Sequence, residues 1–345
     1  MTKETVETGA GLTTFLDWVP LLEAHRKNLL RILVYHRIVD RPSENTLSDP
    51  SLISATPEQF EQQMSYVRQN YHLLSIIDLI QAIESRDLLP PQSLLVTFDD
   101  GYRDFLDTAW PILERYQIPS LLFLATGFLF PENQMYWWDQ LYQGIYRTRL
   151  TRLNLGPIGN FQFENIHQKR SVFNELKRQI SARCNSHAVQ LFDQIMEKLD
   201  VIPQTTNLLL TWNEVRYLQE QGCYLATHTR NHPILSHLPA ENALQEIRDS
   251  QQDLYRELGT VLPVVAYPSG HSQDCNDHLA PLLRENGFIL AMSSIPGMNI
   301  LPGCDLLRLK RIGVSPRVNM TVFKLVLTGV YHIYCRMQAN IFHRD

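Results

Sequence analysis

Blocks of apolar residues alternate with amphipathic segments along most of this chain. The apolar blocks are four to eight residues long, the length of strands that are buried on both faces of a parallel sheet. The segments between them carry apolar residues three and four positions apart, which predicts helices with one buried face. Together the two patterns predict a series of parallel βα units. The predicted strands are 31–38, 94–98, 120–126, 224–227, 264–267, 289–292 and 308–314.

Helix-start signals support this division of the chain. Thr56 precedes a proline and has Gln59 three positions later, which is a capping box with proline at the first helical position. A second capping box opens a helix at 211–214. Between the third and fourth predicted strands the alternation stops, and residues from about 130 to 210 form a mostly helical insertion. This insertion opens with the sequence Tyr-Trp-Trp-Asp at 136–139.

The number and order of these elements predict an α/β fold, a single irregular (β/α) barrel with a helical excursion. We expect a helical lead-in over 1–30, the barrel over 31–316 and a C-terminal helix over 317–345. Barrels of this kind place their chemistry at the carboxyl ends of the strands. Functional residues are therefore expected where the apolar blocks end.

Composition narrows the functional classes. The net charge of −5 and the pI near 6.2 argue against a general nucleic-acid binder, which needs a basic surface to neutralise phosphates. The five cysteines are scattered and form no Cys-x-x-Cys pair. That arrangement argues against both a disulfide framework and a thiolate zinc site. Reduced thiols are the simplest account of these cysteines.

Neither end of the chain has the pattern of a membrane-inserting segment. Residues 1–10 include acidic side chains and are not followed by the apolar core of a signal peptide. The apolar stretch at 325–335 is well short of the ~20 residues that a spanning helix needs. We therefore expect a cytoplasmic protein without a transmembrane helix. Peripheral contact with the inner membrane face stays open, and the sequence does not indicate an oligomeric state.

Two acidic residues and two histidines stand at predicted strand ends. The second strand ends in Asp99-Asp100-Gly101, in which the glycine permits a tight turn directly after the carboxylates. Such a turn alone is common where strands end. A later strand, however, runs into His228 and His232, which are four positions apart. One carboxylate and two imidazoles leave coordination positions open for water, which is the pattern of a catalytic metal site.

These residues resemble the motifs of the NodB-homology polysaccharide deacetylases, Thr-Phe-Asp-Asp-Gly and His-Ser/Thr-x-x-His. The resemblance implies a distorted barrel with Asp100, His228 and His232 as ligands of a divalent metal. Zinc suits these ligands best, and cobalt, nickel or iron(II) stay open. The resemblance also implies that Asp99 is the general base. The alternative is a carboxylate that orients one of the histidines.

The third motif departs from the family pattern. Ala266 stands where many relatives have an arginine that pairs with the base. Without that partner, we expect the pKa of Asp99 to be higher than with the pair. Arg311 is a candidate for the missing guanidinium. The backbone amide of Ser269 is a candidate donor to the oxyanion.

A second departure concerns the general acid. Many relatives take a histidine from a late Leu-x-His motif, but here Arg311 stands at that position. The early Tyr35-His36 pair resembles instead the start of poly-N-acetylglucosamine deacetylases, whose barrel is permuted so that this strand comes first. That resemblance makes His36 the candidate acid for the leaving amine. The alternative is an ordinary histidine at a strand end.

The resulting hypothesis is a metal-dependent hydrolase that removes N-acetyl groups from an amino sugar in a polysaccharide, an oligosaccharide or a lipid-linked glycan precursor. Two alternatives stay open, a small-molecule amide hydrolase of the same fold and a catalytically degenerate carbohydrate-binding relative. Trp137 and Trp138 could stack on sugar rings or anchor the insertion to the core. The expected substrate contacts are Tyr102, Tyr267, Ser269, Trp138 and Arg311.

Overall fold

The computed structural model describes residues 28–40, 48–131, 135–204, 207–275 and 278–329. The predicted helical lead-in lies outside the described residues except for its last three positions. Two of these, Leu29 and Leu30, belong to the first strand and not to a helix. The predicted C-terminal helix is described only as far as residue 329.

Seven parallel strands form a closed barrel. Each strand pairs with the next one in chain order, and the last pairs with the first, where Ile312 lies opposite Leu33. This closed parallel sheet confirms the predicted (β/α) barrel. The barrel strands are β1 (Leu29–Tyr35), β2 (Ser93–Phe98), β3 (Ser120–Leu124), β4 (Tyr224–Thr227), β5 (Val264–Ala266), β6 (Leu290–Pro296) and β7 (Leu309–Gly313).

The first strand differs in its limits from the prediction. β1 starts at Leu29 because its first two residues pair with the antiparallel strand Asn299–Ile300. It ends at Tyr35, and the backbone N–H of His36 donates to the hydroxyl of Ser54 (2.9 Å) instead of continuing the barrel ladder. His36 therefore stands at the mouth of the barrel, just outside the regular sheet.

Helices surround the barrel and build the insertion. The α-helices are α1 (Pro57–Asn70), α2 (Ile76–Ser85), α3 (Trp110–Arg115), α4 (Trp137–Arg147), α5 (Ile166–Ser181), α6 (Asn185–Leu199), α7 (Trp212–Glu220), α8 (Ala240–Leu258), α9 (Leu279–Glu285) and α10 (Met320–Leu327). A π-helical segment, Phe105–Ala109, precedes α3, next to Pro111, which has no N–H to donate to the preceding turn. The short strands outside the barrel are Arg37–Ile38, Ile53–Ala55, His72–Leu73, Arg152–Asn154, Asn160–Gln162 and Asn299–Ile300.

The predicted capping boxes are confirmed. The Thr56 hydroxyl accepts from the backbone N–H of Gln59 (3.2 Å), and the Gln59 side chain accepts from the backbone N–H of Thr56 (3.1 Å). Thr211 and Glu214 make the same reciprocal bonds at the start of α7. These bonds satisfy N–H groups that a helix start leaves free, and so they fix where α1 and α7 begin.

Alternate residues of β2 pack on opposite faces of the barrel wall. Val96 and Phe98 belong to a buried cluster with side chains of the outer helix α1. Leu95 belongs to a different cluster, which includes Phe123 of β3 and residues of β6 and β7. Because side chains alternate along a strand, Asp99 follows Leu95 onto the inner face of the barrel. The first aspartate of the motif is thereby directed toward the barrel axis.

The insertion lies between β3 and β4, as predicted. Its helices α4 to α6 and a two-stranded hairpin enclose a separate hydrophobic core that buries residues such as Phe163, Phe173 and Ile195. Tyr136 and Trp138, at the start of the insertion, pack in another cluster with residues of the barrel mouth. The insertion thus has its own core and meets the barrel through its aromatic opening residues.

The last described helix, α10, is bonded to the amino end of the barrel. Nε of Arg31 in β1 donates to the carbonyl of Leu327 (2.7 Å), and only 1% of Arg31 is exposed. Among the described residues, no helix combines the length and the apolar character that crossing a membrane requires.

Candidate metal centre

The motif residues meet at the barrel mouth. β2 leads into Asp99 and Asp100, and β4 leads into His228. Gly101 follows with a φ of 75°, which confirms the predicted tight turn. Asp100 and His232 also have positive φ angles, 77° and 55°. Left-handed backbone costs about 1–3 kcal/mol in residues other than glycine and is concentrated at functional sites. The fold therefore holds two motif residues in backbone conformations that residues other than glycine rarely adopt.

Asp100, His228 and His232 form a compact set of metal-ligand atoms. Oδ1 of Asp100 lies 3.4 Å from Nε2 of His228 and 3.3 Å from Nε2 of His232. The three ligand atoms lie within 4.8 Å of one another. Nδ1 of His228 lies 2.9 Å from the carbonyl oxygen of Ala266. This bond requires the proton on Nδ1 and leaves the lone pair of Nε2 for a cation. The donor set fits a divalent metal.

The protonation states of two of these groups also suit a cation. Burial opposes a charge on Asp100, but its interactions with His228 and His232 overcome this effect and hold the pKa of the carboxyl well below its usual range. Burial lowers the pKa of His232. An ionised carboxylate and a neutral imidazole are the forms in which these groups bind metals.

Asp99 is paired with Arg311, which reaches it from β7. Nη1 and Nη2 of the guanidinium donate to the two carboxylate oxygens at 2.8 and 2.7 Å, and both side chains are almost fully buried. Burial alone would raise the pKa of Asp99, but the charge of Arg311, followed by that of His228, lowers it below the usual value. The expectation of a higher pKa is therefore wrong, because Arg311, the candidate offered by the sequence, supplies from another strand the guanidinium that Ala266 lacks.

Arg311 is held in place for this pairing. Its Nε donates to the carbonyl of Ser293 (2.7 Å), and its Nη1 lies 3.4 Å from the hydroxyl of Thr97. Only 1% of Arg311 is exposed. The structure thus gives Arg311 a carboxylate of the protein as its partner, in place of the substrate contact that we expected. We call Thr97, Asp99, Ser293 and Arg311 the inner wall of the site.

Aromatic residues of the insertion cover His232. The rings of Tyr136 and Trp138 stack at 4.4 Å, and both meet the His232 ring edge to face, at 5.6 and 5.0 Å. The Tyr136 hydroxyl donates to the backbone carbonyl of Asp100 (2.7 Å). Trp138 is only 6% exposed, so its packing favours the anchoring role over a sugar platform. Trp137 is half-buried.

Behind these rings lies a third buried carboxylate, Asp139, for which the sequence predicts no role. The Tyr102 hydroxyl donates to Oδ2 of Asp139 (2.7 Å) and accepts from Nε1 of Trp138 (2.9 Å). The backbone N–H of Asp49 donates to Oδ1 of Asp139 (2.7 Å). Burial raises the pKa of Asp139 to about 7. The available sequence signal is an acidic residue in a helical turn that is otherwise aromatic and apolar. We call Tyr102, Tyr136, Trp138 and Asp139 the outer wall.

His36 is half-buried beside the carboxylates. Its charge is among the influences that lower the pKa of both Asp99 and Asp100. The candidate acid and the candidate base are thus brought into one site, although 63 positions separate His36 from Asp99 in the sequence.

The other expected substrate contacts lie at different depths. Tyr102 and Tyr267 are buried, at 0% and 2% exposure, and the Tyr267 hydroxyl donates to the carbonyl of Leu307 (2.8 Å). Both side chains therefore face the protein interior instead of a substrate. Ser269 is exposed in the turn after β5, and its hydroxyl donates to Asp274 (2.7 Å). Of these three residues, Ser269 alone is accessible from solvent.

Comparison with known sequences places this site in a family context. Residues 164–289 match the family model described as polysaccharide deacetylase, an interval that includes both histidines and follows the Asp-Asp pair. The poly-beta-1,6-N-acetyl-D-glucosamine N-deacetylase of Escherichia coli (strain K12) is 30% identical over 79 residues, which are 23% of this chain and 12% of that protein. The enzyme of the same name from Staphylococcus aureus (strain MSSA476) is 28% identical over 80 residues, 23% of this chain and 28% of that protein. The matched segment is thus a small part of these relatives.

Solved structures share the fold over most of the chain. The Streptococcus pyogenes deacetylase PplD in complex with acetate has a TM-score of 0.57 at 20% identity, covering 87% of this chain and 98% of that one. IcaB from Ammonifex degensii has a TM-score of 0.56 at 18% identity, covering 88% and 98%. At this level of identity the likeness establishes the fold. The resemblance to the NodB-type polysaccharide deacetylases is confirmed, in sequence over residues 164–289 and in architecture over most of the chain.

Proposed function

We propose that this chain, which resembles the NodB-type polysaccharide deacetylases in sequence and in fold, is a metal-dependent de-N-acetylase of amino sugars in a glycan. The observation that carries the proposal is the convergence of Asp100, His228 and His232 beside the Asp99–Arg311 pair. Zinc is the proposed cation because it accepts two imidazoles and one carboxylate. The named activity of the relatives makes N-acetylglucosamine polymers the first substrates to test.

The proposed chemistry divides between a cation and a base. A divalent cation held by Asp100, His228 and His232 would supply Lewis acidity at the amide carbonyl and the attacking water. Asp99 would accept the proton of that water, and its pairing with Arg311 keeps it ionised for the task. Because Nδ1 of His228 is bonded to a backbone carbonyl and not to Asp99, the contacts support the base over a histidine-orienting carboxylate.

His36 is the proposed general acid. An amine anion is a poor leaving group, so hydrolysis of an amide requires a proton at the departing nitrogen. Guanidinium groups do not release a proton in proteins. Arg311, whose guanidinium is bonded to Asp99, therefore cannot supply the proton to the leaving amine. An imidazole titrates near neutrality and can donate. The backbone amide of Ser269 remains the proposed donor to the oxyanion, at the accessible turn after β5.

Release of free amine from N-acetylglucosamine oligosaccharides, with and without added Zn²⁺, tests the function. We expect zinc-dependent release by the wild type, which should carry about one cation per chain. The His228→Ala, His232→Ala double variant lacks two of three ligands and should carry none and release none. Near-stoichiometric metal in the double variant would reject the ligand assignment. Absence of release by zinc-loaded wild type would reject the substrate class.

The adjacent aspartates should separate in the same assay. Asp100→Asn should weaken metal retention, because a neutral amide is a poorer ligand than a carboxylate. Asp99→Asn should retain the metal and lose roughly 10²–10⁴-fold in rate, the usual contribution of a general base. Equal loss of metal by both variants would contradict this division of roles.

Comparison of an amide with an activated ester tests His36. The leaving group of the ester departs without protonation, so His36→Gln should lose most of its amide turnover and much less of its ester turnover. Metal content and thermal unfolding serve as controls for the integrity of the site. Equal losses on both substrates would leave His36 with a structural or positioning role.

A further inference from the structure

Three distant segments of the chain meet at the carboxylate of Asp139. Asp139 lies in the first turn of α4, in the insertion, and is fully buried. Its Oδ1 accepts from the backbone N–H of Asp49, in the segment between β1 and α1, and its Oδ2 accepts from Tyr102, in the turn after β2. Both oxygens are thus engaged by groups from outside the insertion.

These bonds join the insertion to the barrel and do not cap its helix. An acidic residue in a first helical turn commonly interacts with the free N–H groups of its own helix. The helix start at Tyr136 has no side-chain cap, and the bonds of Asp139 run to other segments. Lys177 of α5 makes a second link, because its ammonium pairs with the carboxylate of Asp49 and donates to the hydroxyl of Ser51 (3.1 Å).

The hydroxyl of Tyr102 connects Asp139 to Trp138, and the Trp138 ring contacts His232. A tyrosine hydroxyl has one proton to donate. Because that proton goes to Asp139, the oxygen accepts from Nε1 of Trp138. The Trp138 ring then lies edge to face against His232 and stacks on Tyr136. The His232 side chain is 13% exposed, compared with 3% for His228. It is therefore the candidate ligand whose access to solvent depends most on the outer wall.

We propose that Asp139 is a positioning residue that acts through Tyr102 and Trp138. By accepting both hydrogen bonds it fixes the outer wall against His232 and sets how firmly that ligand is held. The part of this inference that concerns cation affinity rests on the proposed function, whereas the part that concerns the covering of His232 does not.

The variant Asp139→Asn tests the inference with little change of shape. An amide has one acceptor oxygen and one NH₂ group, so it cannot accept from both Asp49 and Tyr102, and at least one bond is lost. In the metal-free chain we expect diethyl pyrocarbonate to modify His232 faster than in the wild type, as measured by peptide mass spectrometry. In competition with a chelator, the dissociation constant for Zn²⁺ should rise roughly tenfold, as when partners behind a ligand are removed.

Thr148→Val is the matched control. Thr148 is buried in the insertion, where its hydroxyl donates to the carbonyl of Leu199 (3.0 Å) and accepts from the backbone N–H of Leu150 (3.2 Å). These bonds have no described link to the outer wall, so the variant should lose them and leave both the His232 modification rate and the zinc affinity unchanged. An equal rise in the control would attribute the effect to general loosening of the insertion and overturn the inference.

Tyr102→Phe decides whether the effect passes through Tyr102. It keeps the bond between Asp139 and the Asp49 backbone, removes the link to Trp138, and should expose His232 by itself. In the Tyr102→Phe background, Asp139→Asn should add little, whereas additive effects would overturn the proposed route. If Asp139→Asn does not fold, an unchanged His232 rate in Tyr102→Phe still rejects the inference. Wild-type chain that binds no zinc would reject the proposed function, and the His232 rates would remain decisive for Asp139.

Discussion

The inner and outer walls both bury a carboxyl group near the proposed metal ligands, and they shift its pKa in opposite directions. Asp99 faces the bidentate guanidinium of Arg311, and its pKa is lowered. Asp139 accepts from a tyrosine hydroxyl and a backbone N–H, and burial raises its pKa to about 7. The hydrogen bonds from Asp49 and Tyr102 and the charge of Arg37 offset only part of that effect, and Arg37 has its own carboxylate partner in Asp104 (2.8 Å). Burial alone thus favours the neutral carboxyl, and a direct cationic partner is needed to reverse it.

The two walls also differ in how they are built. The inner wall consists of residues in or next to β2, β6 and β7, whose backbone positions the barrel ladders fix. The outer wall joins the insertion to two loops through side-chain hydrogen bonds. We therefore expect changes in the inner wall to have larger effects than changes in the outer wall.

Removal of the guanidinium should have the largest effect. Arg311→Met leaves the Asp99 carboxylate buried without its partner, which should lower the free energy of unfolding by roughly 3 kcal/mol. The pKa of Asp99 should rise, so the acid limb of the pH–rate profile should move to higher pH. Denaturant unfolding and the pH dependence of amine release measure the two effects.

Arg31→Met is the matched control for this change. Arg31 is the same residue type with the same 1% exposure, but it lies near the amino end of β1 and bonds to Leu327. Its loss should also reduce stability, without moving the acid limb. An acid limb that stays in place in Arg311→Met would contradict the role of Arg311 toward Asp99.

The two carboxyl groups should shift stability with pH in opposite directions. Folding raises the pKa of Asp139 from 3.8 to about 7, so between these values the folded chain keeps a proton that the unfolded chain releases. Stability from this group therefore falls as pH rises through that window, by at most about 1.4 kcal/mol per pH unit. The pKa of Asp99 is lowered from 3.8, so its stabilisation is present above that value and is lost as pH falls through the folded pKa.

Denaturant unfolding between pH values of about 4 and 7 separates the two contributions. The stability of the wild type relative to Asp139→Asn should decline as pH rises across this range. The stability of the wild type relative to Asp99→Asn should show no such decline. Parallel curves for the two comparisons would contradict the opposite pKa shifts of Asp139 and Asp99.

Loss of one contact of the outer wall should have the smallest effect. Tyr136→Phe keeps the aromatic stack and removes the bond from the hydroxyl to the Asp100 carbonyl, worth about 1 kcal/mol. If this bond steadies Asp100, zinc affinity should fall roughly fivefold, the equivalent of that energy. Tyr142→Phe, in the core of the insertion, is the control and should leave zinc affinity unchanged. Equal zinc affinities for wild type and Tyr136→Phe would show that the contact only closes the surface.

The parts of the site that depend on neighbouring residues in the chain can be predicted from sequence. Asp100 follows an apolar strand, and His228 and His232 stand four positions apart at the end of another, so strand ends and spacing suffice to place them together. The barrel itself follows from the repeated strand and helix pattern. The predicted start of β1 is two residues late because its pairing with Asn299–Ile300 is not visible in the local pattern.

The walls depend on contacts between remote residues. The sequence offers Arg311 as a candidate for the missing guanidinium, but its pairing with Asp99 follows only once the inner faces of β2 and β7 are known. Asp139 joins three segments whose arrangement no local pattern encodes. Tyr102 follows the Asp-Asp-Gly turn and Tyr267 ends a predicted strand, where functional residues are expected, yet both are buried. Burial of a polar side chain depends on the whole fold, and here the sequence alone does not reveal it.

During synthesis on the ribosome, the barrel cannot close until β7 has emerged, because β1 gains its second parallel neighbour only from that strand. Until then the growing sheet has unpaired edges, which can template association between chains. The insertion has its own core and could become ordered while the later strands are still being made. The strand that closes the sheet also carries Arg311. A chain that ends before residue 309 would therefore combine free sheet edges with an Asp99 that lacks its guanidinium partner.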